Sequence, residues 1–252
     1  MSWFARAADQ RLPQWRLQSA ARTHIGKVRT VNEDRILDCP DQRLWAVADG
    51  MGGHSRGDRA ATGVVRALAS LTTHAITSRA IGTALNAAND EILAHSLQGE
   101  TCGSTVAGLH IDCGLCTLFW AGDSRIYRLR RGRLQLLSHD HSYVQQLVDA
   151  DVIKPQDARS HPQANVITRA VGISPNLEID YAVCELVDGD QFLLCSDGLS
   201  SMIDDRTIGM LMGRGVQATA EGLIESALAA GGADNISLIL VHAQGGDRPD
   251  GS

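Results

Sequence analysis

Three apolar segments of the sequence are flanked by aspartates. Asp49 and Asp197 follow such segments, with one serine before Asp197, and Asp234 stands just before a third. Short apolar runs of this kind predict buried β-strands, which would place each carboxylate at the rim of a sheet. Carboxylates that meet in a partly desolvated site raise one another's pKa values unless a cation is present. Oxygen ligands select hard divalent ions, so the pattern favours Mg²⁺ or Mn²⁺ over zinc.

Neighbouring residues extend this acidic set. Gly50 lacks a Cβ, so its backbone can approach an ion closely and offer a carbonyl oxygen. Asp34 and Asp123 add two more acids at the edges of predicted β segments. A single Asp-Gly pair after a strand is most often only a turn. The interpretation as a metal site therefore depends on the whole set.

The elements that must position these acids are mostly short strands separated by Gly, Asp or Asn. We predict strands at Leu17–His24, Leu44–Ala48, Ser104–Leu109, Leu115–Ala121, Arg125–Leu129, Ile179–Leu186, Gln191–Cys195 and Ile236–His242. Ala- and Leu-rich periodicity predicts helices at 57–73 and 81–97, and further helices at 142–150, 204–212 and 218–229. Runs of strands, a hairpin-like turn at Arg130–Arg133 and helices grouped in pairs indicate an α+β architecture of antiparallel sheets covered by helices.

The length and composition favour one domain. A chain of 252 residues with 44% hydrophobic content can bury a single substantial core, for which we expect residues 1–244. The polar segment 138–168, here called the flap, interrupts the strand pattern and looks like an excursion from the core. Residues 245–252 lack apolar periodicity, and we expect a disordered tail there.

The overall charge excludes several partners. A net charge of −6 and a pI near 5.8 argue against nucleic acid and anionic lipid. The six cysteines mostly lie in apolar runs, without a disulfide pattern. Neither a signal peptide nor an apolar stretch of the ~20 residues needed to span a bilayer is visible. We expect a cytoplasmic monomer without membrane contact.

The motifs that contain these acids follow a definite order along the chain. They are Arg29–Asp34, Val47–His54, Gly103–Thr105, Ala121–Arg125, Asp140–Ser142, Ile167–Gly172, Ser196–Gly198 and Asp234–Asn235. From about residue 17 to residue 243 this series resembles the PPM, or PP2C-like, family of metal-dependent protein serine/threonine phosphatases in its compact bacterial form. The resemblance implies a four-layer αββα sandwich, in which two antiparallel sheets pack face to face and are flanked by helices.

The resemblance also implies a role for each matching acid. Asp49 would be shared by two divalent cations, Mn²⁺ or Mg²⁺. The Gly50 carbonyl would bind one of them, and Asp197 and Asp234 would bind the other. Asp34 would lie in a second layer behind these ligands.

Two further positions and the reaction follow from the same resemblance. Asp123 would help Asp197 hold a third, more weakly bound ion, and Arg29 would grip the substrate phosphate, whose oxygens suit its planar fork. The implied reaction is hydrolysis of phosphoserine and phosphothreonine on proteins by a water or hydroxide bridging two ions. Phosphorylated proteins would be the partners, together with a cognate Ser/Thr kinase that the enzyme opposes.

Some features depart from the family or leave alternatives open. Met51 stands where animal-type members have a histidine, and we expect His54 to be structural rather than the general acid. The flap would shape substrate choice, or would be a surface loop without that role. Cys113 and Cys116 have the spacing of a redox pair but lie between two strands, so a structural role is favoured. The alternative function is a catalytically silent phosphoprotein-binding pseudophosphatase, although such a protein would usually have lost some of these carboxylates.

Overall fold

The computed structural model describes residues 15–52, 56–72, 76–96 and 102–245. Twelve strands and six α-helices lie in these ranges. The strands are β1 (Trp15–His24), β2 (Arg35–Cys39), β3 (Leu44–Ala48), β4 (Gly50–Met51), β5 (Gly103–Ser104), β6 (Val106–Asp112), β7 (Leu115–Ala121), β8 (Arg125–Arg130), β9 (Arg133–Leu136), β10 (Asp180–Glu185), β11 (Gln191–Cys195) and β12 (Ile236–Gly245). The helices are α1 (Arg56–Ala69), α2 (Ser78–Ser96), α3 (Tyr143–Asp149), α4 (Asp197–Ser200), α5 (Asp205–Leu211) and α6 (Val216–Ala229).

Ten of the strands form two antiparallel five-stranded sheets. The first sheet has the order β1-β12-β11-β8-β9, and the second has the order β10-β7-β6-β3-β2. The remaining short strands, β4 and β5, form a separate two-stranded sheet, and Ser104 of β5 also bridges to Val171. The first and the last described strands are neighbours, because β1 pairs with β12 from Trp15↔Gly245 to His24↔Ile236.

Three apolar layers hold the sheets and helices together. The middle layer lies between the sheets and includes Trp45 and Phe192. A second layer packs α1 and α2 on the outer face of the second sheet, and a third packs α4, α5 and α6 on the outer face of the first sheet. The αββα sandwich implied by the family resemblance is thereby confirmed.

Most sequence-based elements are present, with shifted ends. All five predicted helices and all eight predicted strands occur: strands β3, β7 and β11 have the expected bounds, and the ends of the others lie within four residues of them. The predicted hairpin turn is also correct: β8 and β9 are joined by Arg131 and Gly132, both at positive φ, as tight hairpin turns require.

Other elements were not predicted. Strands β2 and β9 were missed because both are short and interrupted by charged or polar residues, so their strand character depends on pairing with β3 and β8. The one-turn helix α4 was also missed. The expected tail boundary is wrong by one residue, because Gly245 pairs with Trp15 and belongs to β12. The rest of that tail lies outside the described residues, and the extent of the single domain remains a prediction. No helix in the described ranges is long and apolar enough to cross a membrane.

Candidate metal centre

The topology gathers the ends of many strands at one rim of the sandwich. In the first sheet, the antiparallel register brings the end of β11, which leads to Asp197, beside the starts of β8 and β12, which follow Asp123 and Asp234. In the second sheet, the pairing Arg35↔Ala48 places Asp34 beside Asp49. All five acids therefore lie at the same rim, although they are far apart in the sequence.

A cleft of about 720 Å³ opens at this rim. Its lining includes four of the predicted acids and the predicted phosphate-binding arginine. The predicted site residues that line the cleft are Arg29, Asp49, Gly50, Asp123, Asp197 and Asp234. The flap contributes Asn165 and Ile167. Asp34 does not line the cleft but is almost completely buried beneath it. The structure thus brings all the sequence-predicted site residues into one region.

The acids of the cleft perturb one another strongly. The pKa of Asp49 is raised well above its usual value by burial and then by the charges of Asp34, Asp197 and Asp123. Burial, followed by the charge of Asp197, raises the pKa of Asp123 to about 8. The pKa of Asp197 is raised by burial and by the charge of Asp234. Without a cation, the cluster therefore favours protonated carboxyls.

Asp34 connects the two sheets below the cleft. The Ser196 hydroxyl donates a hydrogen bond to its Oδ2 atom at 2.9 Å, and the same Ser196 oxygen accepts the Ser237 N–H at 2.9 Å. Burial raises the pKa of Asp34 to about 6, although hydrogen bonds from Ser237 and Ser196 oppose that shift. Asp34 is thus held against the residue that immediately precedes Asp197, as expected of a supporting acid.

The backbone around Asp49 is fixed on both sides. The Asp49 N–H donates to Thr105 Oγ1 at 3.0 Å, and the Thr105 N–H donates to the Asp49 carbonyl at 2.8 Å. A Cβ at Gly50 would lie 2.2 Å from the Gly57 carbonyl oxygen and 2.7 Å from that of Glu33. Gly50 is therefore required for the close approach of α1, a packing reason that the sequence alone did not reveal.

Arg29 and Asp234 form an ion pair across the cleft mouth. The guanidinium NH2 lies 2.8 Å from Asp234 Oδ2, and the Arg29 side chain is 54% exposed. An exposed guanidinium at a cleft can exchange this carboxylate for another anion at modest cost. The pair therefore leaves Arg29 able to bind another anion.

The loop that carries Arg29 is fastened by Asn235, whose role sequence reasoning missed. Its amide Nδ2 donates to the Ile25 and Val31 carbonyls, both at 2.9 Å, and its Oδ1 accepts the Glu33 N–H at 2.8 Å. The only sequence signal was the Asp-Asn motif itself. The partners lie about 200 positions away, so spacing could not identify them.

His141 supports the loop that precedes Asp123. The Gly122 N–H donates to His141 Nδ1 at 3.1 Å, which assigns the ring proton to Nε2, and Nε2 lies 3.2 Å from Asp180 Oδ2 and 3.1 Å from Arg169 Nη1. Burial lowers the pKa of His141. The neutral ring therefore fixes Gly122, whose φ of 118° favours glycine, beside the cleft.

The flap is folded back on the body of the protein. Its ends are joined by the pairing of Ser142 with Ile167, and α3 begins with the Ser142 hydroxyl accepting the Gln145 N–H. Arg159 donates to the carbonyls of Ser200 and Ile203 at 2.6 and 2.9 Å, directly behind α4. The flap is thus anchored next to Asp197.

The donor set of the cleft suits a hard divalent cation. It is made of carboxylate oxygens and one closely approached backbone carbonyl, and the Oδ1 atoms of Asp34 and Asp123 are buried without a hydrogen-bond partner among the described residues. As placed, no three His, Cys, Asp or Glu side chains in the described ranges form a group that could hold a metal ion. The Arg29 guanidinium engages Oδ2 of Asp234, and the carboxyls of Asp49 and Asp197 are close enough to interact. These contacts occupy oxygens that an ion would need.

Comparison with known proteins places this architecture in a class. Residues 22–229 match the family described as protein phosphatase 2C. Serine/threonine protein phosphatase PstP of Mycobacterium tuberculosis is 38% identical over 233 residues, covering 89% of this chain and 44% of that protein. A solved structure of PppA, described as a key regulatory component of T6SS in Pseudomonas aeruginosa, is 40% identical with a TM-score of 0.84, covering 90% of this chain and 97% of its own.

A further solved structure bears on the cleft. The catalytic domain of PstP in complex with two manganese ions is 35% identical with a TM-score of 0.83, covering 92% of this chain and 100% of its own. Two antiparallel sheets between helical layers, with an acidic cleft at one rim, define the class of protein. The chain belongs to the protein phosphatase 2C family. It spans less than half the length of the PstP relative.

Proposed function

We propose that this protein hydrolyses phosphoserine and phosphothreonine on other proteins with the help of divalent cations held in the acidic cleft. The observation that carries the proposal is the convergence of four partly or fully buried aspartates and one exposed arginine on the same 720 Å³ cleft. Ionised carboxylates are costly to bury together unless a cation balances their charge. A phosphate ester is the substrate that such cations and an arginine would bind together.

We assign the metal ligands as the family resemblance does. Asp49 would bridge two ions, Gly50 would offer its carbonyl to one, and Asp197 and Asp234 would bind the other. Asp123, with its unpartnered Oδ1 atom, would contribute to a third and weaker ion. Mn²⁺ or Mg²⁺ fits this all-oxygen set.

When bound, such cations would lower the pKa of water, orient it toward phosphorus and neutralise charge on the phosphoryl oxygens, so that a water or hydroxide bridging two ions can attack directly. Arg29 would leave Asp234 and donate to the phosphate oxygens, which frees the Asp234 carboxylate at the same time. Asp34 would keep Asp197 in place through Ser196. His141 would keep Gly122 and Asp123 at the cleft wall.

The surroundings of the cleft suit a protein substrate. The cleft opens to solvent, and the flap residues Asn165 and Ile167 form part of its wall. A phosphorylated side chain on an extended segment could therefore enter while its flanking residues contact the flap. Because a kinase must supply such a substrate, we propose that the enzyme opposes a Ser/Thr kinase. The cytoplasmic location and the monomeric state remain predictions.

Hydrolysis of p-nitrophenyl phosphate and of a phosphothreonine peptide, with Mn²⁺ or with EDTA, tests the proposal. Turnover should require the cation. Asp197→Asn, which keeps the shape but removes a charge, should lower kcat/KM by at least about a hundredfold, in line with losing a ligand of a catalytic metal. Turnover that persists in EDTA would contradict the proposal.

A matched variant separates catalysis from folding. Asp188→Asn removes a carboxylate near the start of β11, far from the cleft, and should leave turnover unchanged. A protein that binds a phosphopeptide but does not turn it over in Mn²⁺ would instead be the silent binding module.

A further inference from the structure

Two of the six cysteines face each other across neighbouring strands. Cys116 of β7 is paired in register with Cys184 of β10, the edge strand of the second sheet. Both side chains belong to the apolar layer between the sheets: Cys116 is completely buried, and Cys184 is partly exposed at its margin. None of the six cysteines is in a disulfide. The pair is thus a reduced dithiol in which one of the two residues is partly exposed.

The backbone places this pair within reach of a disulfide. Leu186 N–H donates to the Gly114 carbonyl, and hydrogen-bonded pairs alternate along antiparallel strands, so Cys184 and Cys116 also form a hydrogen-bonded pair. The Cα atoms of such a pair lie about 5.5 Å apart, inside the range found for disulfides. The backbone separation of the two cysteines is therefore one that a disulfide can bridge.

The surroundings of Cys184 are electropositive. Arg130 reaches from the first sheet and donates to the carbonyl of Glu185, the residue after Cys184, at 2.7 Å. Arg130 forms an ion pair with Asp190. Arg128 is not paired with a carboxylate in the described ranges, and its Nε atom is buried without a hydrogen-bond partner among those residues. An anion at Cys184 would complement this charge.

The electrostatics of the thiols agree with that placement. The pKa of Cys184 is lowered by its hydrogen bond with Cys116 and by the charges of Arg128 and Arg130, against the opposing effects of burial and Asp190. The exposed Cys113 behaves in the opposite way: a hydrogen bond to Asp112 raises its pKa. The more exposed thiol is therefore the less reactive one.

We propose that Cys184 and Cys116 form a peroxide-sensitive modification site, in which Cys184 is the attacking thiolate and Cys116 is the resolving thiol. The Cys184 sulphur attacks one oxygen of the peroxide, the O–O bond breaks, and the other oxygen leaves as hydroxide and takes up a proton to become water. Cys184 becomes a sulfenic acid. The Cys116 sulphur then attacks the Cys184 sulphur, the S–O bond breaks, and the thiol proton joins the leaving hydroxide as a second water. One peroxide oxidises both thiols to a disulfide between β7 and β10.

This pairing differs from the one that sequence spacing suggests. Cys113 and Cys116 are three positions apart, but Cys113 occupies the turn between β6 and β7 at positive φ and points into solvent. Cys116 points into the layer between the sheets. The partner of Cys116 is therefore set by strand register and not by the Cys-x-x-Cys spacing.

Peptide mapping of the folded protein after treatment with hydrogen peroxide tests the proposal. Remaining thiols are alkylated, and the protein is digested without reduction. A peptide linked through Cys116 and Cys184 is expected, and it should form at least about tenfold faster than Cys113 is oxidised. Cys113→Ser is the matched control and should give the same link at the same rate.

Two variants separate the steps. In Cys116→Ser, or in Cys116→Ala if the serine variant unfolds, Cys184 should accumulate as a sulfenic acid that dimedone captures. In Cys184→Ser, Cys116 should stay reduced because peroxide cannot reach it. Oxidation of Cys113 before Cys184, a link that contains Cys113, or no dimedone adduct on a folded Cys116 variant would each overturn the proposal.

Discussion

Replacement of Asn235 by Ala tests how the loop that carries Arg29 is held. Asn235 is buried and makes three hydrogen bonds to the loop, to Ile25, Val31 and Glu33. Asn235→Ala removes all three while leaving every acid of the cleft in place. Arg29 lies between these anchor points, so the variant should loosen the arginine without changing its charge.

The expected cost follows from those three contacts. A net contribution of about 1 kcal/mol for each bond predicts that the free energy of unfolding falls by about 3 kcal/mol. Water can reach part of the loop, because the Ile25 and Val31 side chains are 36% and 42% exposed, so about 2 kcal/mol is the lower bound we expect. If binding of a phosphopeptide must then supply about 1.4 kcal/mol to order the loop, KM for that phosphopeptide rises about tenfold.

Urea unfolding and steady-state kinetics in saturating Mn²⁺ measure the two effects. Asn86→Ala is the matched control, because Asn86 is exposed on α2 and makes one bond to its own helix. It should change neither stability nor KM appreciably. A loss of less than about 0.5 kcal/mol in Asn235→Ala, or a full loss of stability with unchanged KM, would refute the reasoning.

Three further predictions follow from the cleft and its supports. Gly50→Ala should destabilise the protein by about 3 kcal/mol or more in urea unfolding, because the new Cβ would meet backbone atoms of α1. Gly63→Ala, inside α1 with no contact nearer than 3.9 Å, should be neutral or stabilising. Equal effects of the two substitutions would contradict the packing argument. Because the pKa values of Asp34 and Asp123 are raised to about 6 and about 8, the folded protein without cations binds more protons than the unfolded chain above pH 4. Its thermal stability in EDTA should therefore fall from pH 5 to pH 8, and Mn²⁺ should restore more of that stability at pH 8. A thermal stability in EDTA that does not change over this pH range would exclude the effect. Arg159→Ala should raise KM for a phosphopeptide severalfold but leave KM for p-nitrophenyl phosphate unchanged, because the substitution releases only the flap. Equal changes of KM for both substrates would argue against a role of the flap in protein recognition.

Buried strands were predictable because their apolar character is local. β3 and β11 are buried at every position, and both can be read from a few adjacent residues. The acids at their ends were predictable for the same reason. In contrast, β2 contains Arg35 and Asp38 and becomes a strand only through its partner β3, so its own composition gave no signal.

Long-range contacts account for what the sequence did not predict. Asn235 acts on residues more than 200 positions away, and Gly50 is required by its packing against Gly57. The partner of Cys116 depends on the register of β10, which no spacing along the chain encodes. His54 lies outside the described residues, so the interpretation of that histidine as structural remains a prediction.

The position of β12 has a consequence for synthesis on the ribosome. It fills the place between β1 and β11, and the residue pair just before it provides both Asp234 and the amide that fastens the arginine loop. A nascent chain that has emerged only as far as α6 has a gap in its first sheet and an incomplete acidic cleft. The phosphate-ester hydrolysis proposed for this cleft therefore requires synthesis of the chain at least through β12.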